Sequence, residues 1–256
     1  MDIHSTALVH PKAELGRGVK VGPFSIIEEN VKIGDNTVIG ANCYVTGYTT
    51  IGKNCSFYTG GIIGSIPQDL KYKNKVTYLQ IGDNNTFREY VTINPATEEG
   101  HKTVIGDNNF LMAYCHVAHE CILGNNIIIA NCGTLAGFVE IEDKVVVGGL
   151  SAVHQFTRVG TFAMIGGCSK IVQDVLPYSL VDGHPAKTKG LNVVGLRRGN
   201  IPSNIRNDLK KALQVLTKSQ LTTSHAVKLI QKDIKKSPEI VHLTSFIKKS
   251  KRGFCS

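Results

Sequence analysis

The stretch IGDNNFLMAYCHVAHECILGNNIIIANCGTLAGFVEIEDKVVVGGLSAVHQFTRVGTFAMIGGCSKI, residues 105–171, decides the fold. Steps of six from Ile105 land on Leu111, Val117, Leu123, Ile129, Leu135, Ile141, Val147, Val153, Val159, Ile165 and Ile171, all aliphatic. Backwards, the same phase holds at Ile93, Phe87 and Ile81, and then from Ile63 through Phe57, Ile51, Val45, Ile39, Ile33, Ile27, Val21, Leu15 and Val9 to Ile3. Two residues before these positions the chain repeatedly places a small side chain, as at Ser25, Thr37, Cys43, Cys55, Cys115, Cys121, Ser151, Thr157 and Ala163. Alternate residues of a strand share a face, so both sets point inward. A period of six then reads as one short strand plus one corner, and three such units close a triangular coil of 18 residues. Glycine often follows the aliphatic position, as at Gly16, Gly34, Gly52, Gly106 and Gly124. Those glycines are expected to make the corners, where a positive φ costs glycine little.

Hexapeptide solenoids of this kind are left-handed parallel β-helices, an exception to the right-handed crossover preference. Coils stack at about 4.8 Å. Residues 1–186 are therefore expected to form the β-helix, with the interruptions near 64–80 and 94–104 looped out because both preserve the phase. The first, GSIPQDLKYKNKVTYLQ, is long and polar enough for a functional loop. The repeat ends at Pro177, and 178–200 reads as an irregular link. Helical spacing follows in Ile205, Leu209, Ala212, Leu213 and Leu216 after Pro202, in Ala226, Leu229, Ile230 and Ile234, and in Ile240, Leu243, Phe246 and Ile247 after Pro238. Residues 187–256 are thus expected to be a small, basic helical domain.

Composition sets the outer bounds. With 256 residues, 42% hydrophobic and 19% charged, the chain fits an ordinary globular protein. No apolar run approaches a bilayer span, and the N-terminus lacks the pattern of a signal peptide, so a soluble protein is expected. Seven cysteines without a CxxC pair fit a reducing compartment. The net charge of +9 is uneven: residues 187–256 carry 16 Lys and Arg against three Asp and Glu, and the preceding 186 carry 13 against 17. A basic end of this kind is a candidate surface for an anionic partner, or simply a solvated helical face.

Departures from a bare solenoid point to chemistry, and the densest is CHVAHEC at 115–121. Adding the coil length to His119 gives Gly137 and then Gln155, with His154 beside the column. A base, a glycine backbone and an amide would share one strip. Imidazole titrates near pH 6.5, which suits a general base, and a glycine N–H can approach a developing oxyanion closely. Exposed polar residues of a solenoid are the plain alternative. A metal set of Cys115, His116, His119 and Cys121 also has to be weighed, although both cysteines fall on the small inward position.

Taken together, IPQDLKY (66–72), IGDNNTFREYVTIN (81–94), YCHVAHECILGNN (114–126), TLAGFVEI (134–141), AVHQF (152–156), GGCSKIVQDVLPYS (166–179) and GLNVVGLRR (190–198) resemble the UDP-N-acetylglucosamine O-acyltransferase family, which opens lipid A biosynthesis. The resemblance spans essentially the whole chain. It implies a homotrimer in a Gram-negative bacterial cytoplasm, with active sites between subunits. Its partners would be acyl carrier protein and a UDP-sugar rather than nucleic acid, with no cofactor or metal and no integral membrane segment. It further implies that His119 is the general base, that the Gly137 amide holds the oxyanion, and that Glu120, where the family usually has Asp, orients the base. His116, His154 and Gln155 would contact sugar, phosphate or acyl group, and Asp69, Lys71, Asn192 and Arg198 the nucleotide sugar. Gly167 would sit where acyl length is measured.

Three residues depart from the family pattern: Phe138 where histidine is frequent, and Val194 and Gly199 where polar or charged residues are frequent. They leave room for a 3-amino-3-deoxy sugar nucleotide as acceptor, giving an amide. Other readings are a different hexapeptide acyltransferase, a zinc hydrolyase on the same solenoid, and a catalytically silent scaffold.

Overall fold

The computed structural model describes residues 2–219 and 221–256. Residues 2–171 form a left-handed parallel β-helix whose strands are mostly two residues long, one per hexad. Among the described residues they line up in three sheets of nine, nine and eight strands, the first extended to 11 by Ser179–Gly183 and Ala186–Leu191. The first begins with Asp2–Ile3, the second with Leu8–Val9 and the third with Glu14–Leu15. Register confirms the 18-residue coil: Lys20 pairs with Val38 and Ile128 with Val146. Across the first interruption the offset grows, Tyr48 facing Tyr78, and across the second Thr92 faces His116. Both insertions therefore leave the coil and return in phase.

They are shorter than the sequence suggests. Tyr78–Ile81 and Lys102–Ile105 are four-residue strands of the third sheet, so the looped parts are 64–77 and 94–101. Leu79 and Thr103 take the small inward position and are fully buried, which draws the ends of both insertions into the sheet.

Aliphatic positions from Val21 onward are buried, while Ile3, Val9 and Leu15 stay partly open at the lower end. Inside, Phe57 stacks on Phe87 at 4.6 Å. Buried Asn85 and Asn109 carry a polar ladder between coils: the Asn85 Oδ1 accepts the Asn109 N–H, the Asn109 Oδ1 accepts the Ile127 N–H, and both amides donate to glycine carbonyls. Such a ladder satisfies backbone groups that the corners leave open.

The corners correct the expectation about glycine. Positive φ falls three residues after the aliphatic position, at Asn36, Asn54, Asn84, Asn108 and Asn126, and also at Glu120, Phe138 and Phe156. Asparagine is the commonest non-glycine residue there because its short polar side chain tolerates the left-handed region. Gly16, Gly34, Gly52, Gly106 and Gly124, next to the aliphatic residues, have ordinary φ, and close approach explains them instead. A Cβ on Gly34 would lie 2.7 Å from the Gly52 carbonyl carbon one coil above.

Residues 178–200 are not an irregular link. Ser179–Gly183 joins the first sheet and turns back antiparallel into Ala186–Leu191, so the divide expected at 186/187 falls inside the second strand of a hairpin. Among the described residues four helices follow: α1 (Val193–Arg198), α2 (Ser203–Lys218), α3 (Thr223–Asp233) and α4 (Pro238–Lys249). Helix α1 was not anticipated. It begins where the Asn192 side chain accepts the Gly195 N–H. Thr222 and Ser237 cap α3 and α4 in the same way, with Pro238 opening the first turn of α4. The helices share a second core, with Leu196, Leu209, Leu213, Ile230 and Leu243 packed on Leu176 and Tyr178. The tail then returns to the solenoid, where Cys255 enters the first core and its N–H bonds to the Asp174 carbonyl. No helix among the described residues is long and apolar enough to cross a membrane.

Candidate active site

The second and third sheets meet at a corner that carries the expected column. His116 pairs with Thr134, and Thr134 with Ala152, so the turns that follow are stacked in register. The Phe138 N–H donates to the His119 carbonyl at 3.0 Å and the Phe156 N–H to the Gly137 carbonyl at 3.1 Å. His119, Gly137 and Gln155 thus occupy equivalent places in consecutive coils. The residue after each has positive φ, which turns Glu120, Phe138 and Phe156 out of the strand direction.

His119 is buried, and its Nδ1 lies 2.5 Å from Glu120 Oε2. The other oxygen, Oε1, accepts the Thr97 N–H at 2.5 Å, the Thr97 hydroxyl at 2.9 Å and the Glu98 N–H at 3.2 Å. Burial alone would raise the Glu120 pKa, but the bonds from Thr97, His119 and Glu98 together bring it below the usual carboxylate range. An ionised carboxylate accepts, so Nδ1 carries a proton, and in the neutral ring the lone pair is then on Nε2. Asp69 Oδ2, from the 64–77 loop, stands 4.0 Å from that Nε2.

The imidazole also explains Gly137. A Cβ there would lie 2.3 Å from the His119 Cε1 and 2.6 Å from Nε2. The buried Gly137 N–H makes no hydrogen bond among the described residues, so a donor without a partner lies beside the ring. Phe138 and His119 lie T-shaped with ring centroids 5.4 Å apart, and Phe138 stacks on Phe156 at 4.8 Å. Phe138 and Phe156 line a cleft of about 820 Å³ together with Ile122, the basic Lys102, Arg158, Lys249 and Arg252, and the acidic Glu120 and Glu140.

The other expected residues divide by corner. His116 points outward with Nδ1 2.7 Å from the Thr92 hydroxyl, and burial, then the neighbouring His119, lowers its pKa and favours the neutral ring. His154 is exposed, 3.5 Å from an Arg252 nitrogen, and Gln155 is half-buried beside it. Lys71 follows Asp69 in an Asx turn, its N–H on Asp69 Oδ1, with the side chain exposed. Gly167 lies instead at the corner of the first and second sheets, facing the Gly149 carbonyl. Asn192 lies near the third corner, where its amide donates to the Phe162 carbonyl at 2.8 Å. Arg198 is exposed at the end of α1. Within one chain, then, His116, His119, Glu120, Gly137, His154, Gln155, Asp69 and Lys71 gather at one corner region, and Gly167, Asn192 and Arg198 do not.

A shared metal site in CHVAHEC fails on direction. Cys115 and Cys121 point into the core, where burial pushes their thiols up to about 11 and about 12, whereas His116 and His119 point out. Sequence reasoning missed Thr97, which holds Glu120, and Asn94, whose buried amide donates to the Ser65 and Ile66 carbonyls at the root of the first loop. Thr97 lies in no motif, and Asn94 closes the motif 81–94 without a role that its position announces, because both act through loop geometry.

Comparison with known proteins agrees with this architecture. A family model for UDP N-acetylglucosamine O-acyltransferase, domain 2, matches residues 174–255, and the bacterial transferase hexapeptide model matches 12–47 and 102–137. An acyl-[acyl-carrier-protein]–UDP-N-acetylglucosamine O-acyltransferase from Alkalilimnicola ehrlichii is 52% identical, the alignment covering 98% of each chain. One of the same name from Thermodesulfovibrio yellowstonii is 48% identical over 99% of each. Among solved structures, LpxA from Acinetobacter baumannii superposes with a TM-score of 0.95 at 38% identity, and LpxA from Bacteroides fragilis, a UDP-N-acetylglucosamine acyltransferase, with 0.96 at 38%, each covering 99% of both chains. With such identity from end to end, the chain belongs to the UDP-N-acetylglucosamine O-acyltransferase family.

Proposed function

We propose that this chain transfers a 3-hydroxyacyl group from acyl carrier protein to the 3-hydroxyl of UDP-N-acetylglucosamine, the first step of lipid A biosynthesis. The observation that carries the reading is the His119 imidazole, held at Nδ1 by Glu120 and lying against the unpartnered Gly137 amide. Nε2 takes the proton of the sugar hydroxyl as that oxygen attacks the thioester carbonyl. The Gly137 N–H holds the resulting oxyanion. Collapse breaks the C–S bond, and the imidazolium returns its proton to the departing thiolate, which leaves an ester and a free pantetheine thiol. Glu120 stays ionised and steadies the imidazolium. A thioester is already activated, so positioning, proton transfer and oxyanion stabilisation suffice without a metal, a cofactor or a covalent enzyme intermediate.

The remaining site residues belong to the same proposal. Asp69, Lys71, His116, His154 and Gln155 line the approach to the base and contact the sugar, phosphate or acyl chain. Gly167, Asn192 and Arg198 lie on the other corners of the prism, so one chain cannot present them to the same ligand. Three prisms packed about an axis would set one chain's corner against another's, which supports a homotrimer with sites between subunits. The exposed apolar ridge of Phe24, Tyr90, Tyr114 and Leu150 along the corner of the first and second sheets suits such packing. The basic face of residues 187–256 would attract the acidic carrier protein, in the cytoplasm of a Gram-negative cell.

The test is turnover. Purified protein is incubated with a 3-hydroxyacyl carrier protein and either UDP-N-acetylglucosamine or its 3-amino analogue, and acyl transfer is read by mass spectrometry. Ester formation that falls at least about 100-fold in His119→Ala supports the reading. Transfer only to the amino analogue would assign Phe138, whose ring lies T-shaped against the base, to a changed acceptor. No transfer to either across several chain lengths would overturn the assignment.

A further inference from the structure

The loop 94–101 is an insertion of the coil directly below His119, and its two sides do different things. On one side it reaches the first loop, 64–77: Lys75 Nζ lies 2.5 Å from Glu98, the Val76 N–H donates to Glu99, and the Gly100 N–H donates to the Val76 carbonyl. On the other it reaches Glu120 through the three donors described above, two of them from Thr97. Thr97, Glu120 and His119 are each more than nine-tenths buried, so water does not substitute freely for these bonds. A glutamate reaches one bond further than an aspartate and has one more rotatable torsion. Left alone at a corner, its carboxylate would swing. Fixing Oε1 from three directions leaves Oε2 one place to point, the Nδ1 of His119.

We propose that Thr97 is a positioning residue for the base: its hydroxyl and N–H, with the N–H of Glu98, lock one oxygen of Glu120 so that the other holds the His119 ring in its Nδ1–H tautomer. This rests on His119 being the base. It goes beyond that assignment by giving the second insertion a purpose. The loop is the seat of the orienting carboxylate, and because it is also latched to the loop that carries Asp69, the groups on both sides of the imidazole are set by one unit.

Two variants separate the hydroxyl from the bulk. Thr97→Val keeps the shape and the backbone N–H and loses the hydroxyl, while Thr97→Ser keeps the hydroxyl and loses the methyl. In the full chain, T97V should lower kcat about tenfold, the effect of removing one hydrogen bond to a charged group. KM for both substrates should stay within about twofold, because nothing that touches substrate has changed. T97S should stay within about twofold of wild type in kcat. Ring ¹⁵N shifts of His119 give a readout independent of turnover: a single Nδ1–H pattern in wild type and T97S, and a mixed or reversed one in T97V. Equal loss in T97V and T97S would reduce Thr97 to loop packing and overturn the proposal, as would a T97V with wild-type kcat and ring pattern. Should T97V not yield folded protein, Thr97→Ala against T97S carries the same comparison. Absence of turnover in wild type would defeat the acyltransferase reading, and the ring pattern would still decide this one.

Discussion

Replacing Gly137 by alanine tests the site at its tightest contact. The added methyl carbon would stand 2.3 Å from the His119 Cε1, 2.6 Å from Nε2 and 3.0 Å from Nδ1. Carbon atoms rarely approach closer than about 3.4 Å, so the ring has to recede by about 1 Å. It is not free to do so, since Nδ1 is tied to Glu120 and the Phe138 ring closes another side. A reacting group misplaced by about 1 Å costs on the order of 100-fold in rate. Gly137 has no positive φ, so alanine keeps the backbone, and with it the N–H. The fold should hold, with the melting midpoint moving by no more than about 2 °C. Any loss of rate then reports the base and not the oxyanion donor. Initial rates of acyl transfer at saturating sugar nucleotide and acyl carrier protein, together with a melting curve, measure both. A G137A enzyme retaining more than about one third of wild-type kcat would refute the reasoning, because the ring would then have space that the structure denies it.

Two further outcomes concern stability. Glu142 bonds to His242 Nε2 at 3.1 Å, tying α4 to the solenoid. Burial raises its pKa, but the His242 bond and charge, with the Thr161 N–H and the Arg158 charge, bring it below the ordinary value. A carboxylate depressed in the folded state adds stability above its unfolded pKa and loses it as pH falls through the folded one. Glu142→Gln should therefore melt about 1–3 °C lower at pH 7, and that gap should close below about pH 4; a gap constant with pH would exclude the ion pair. Gly34→Ala forces a methyl against the Gly52 backbone of the next coil, where no side chain can yield. Its melting midpoint should fall by about 5 °C or more, by calorimetry, and an unchanged midpoint would contradict the close-approach account of these glycines.

The fold was legible because burial inside a solenoid admits little choice. Each of Leu111, Val117, Leu123 and Ile129 faces the same narrow interior, so the period writes itself into residue type. The corner column followed by arithmetic from the coil length, and His119, Glu120 and Gly137 meet as that arithmetic and the family resemblance implied. What stayed hidden was set by backbone and not by side-chain pattern. The hairpin Ser179–Leu191 breaks the hexad, so no period announces it, and its second strand is the polar run AKTKGL. The corner conformation was misplaced because glycine suggests positive φ, whereas here asparagine supplies it and glycine supplies clearance. Asn192 reads as a ligand contact, yet in the chain its amide starts α1 and holds the Phe162 carbonyl. Thr97 acts partly through a main-chain N–H, which any residue except proline carries.

The uninterrupted stack from Ile105 to Ile171 also governs how this protein can change over generations. One residue gained or lost there would reverse inside and outside for the rest of its coil, and would pull His119, Gly137 and Gln155 out of line. A whole coil added below would leave their spacing untouched. Length variation, among the commonest accidents of a gene, is therefore tolerated chiefly in the two loops that leave the coil and return in phase. Those loops carry Asp69 and Thr97. The working distance between base and amide is inherited as a fixed pitch, and the parts free to vary are the ones that lean over it.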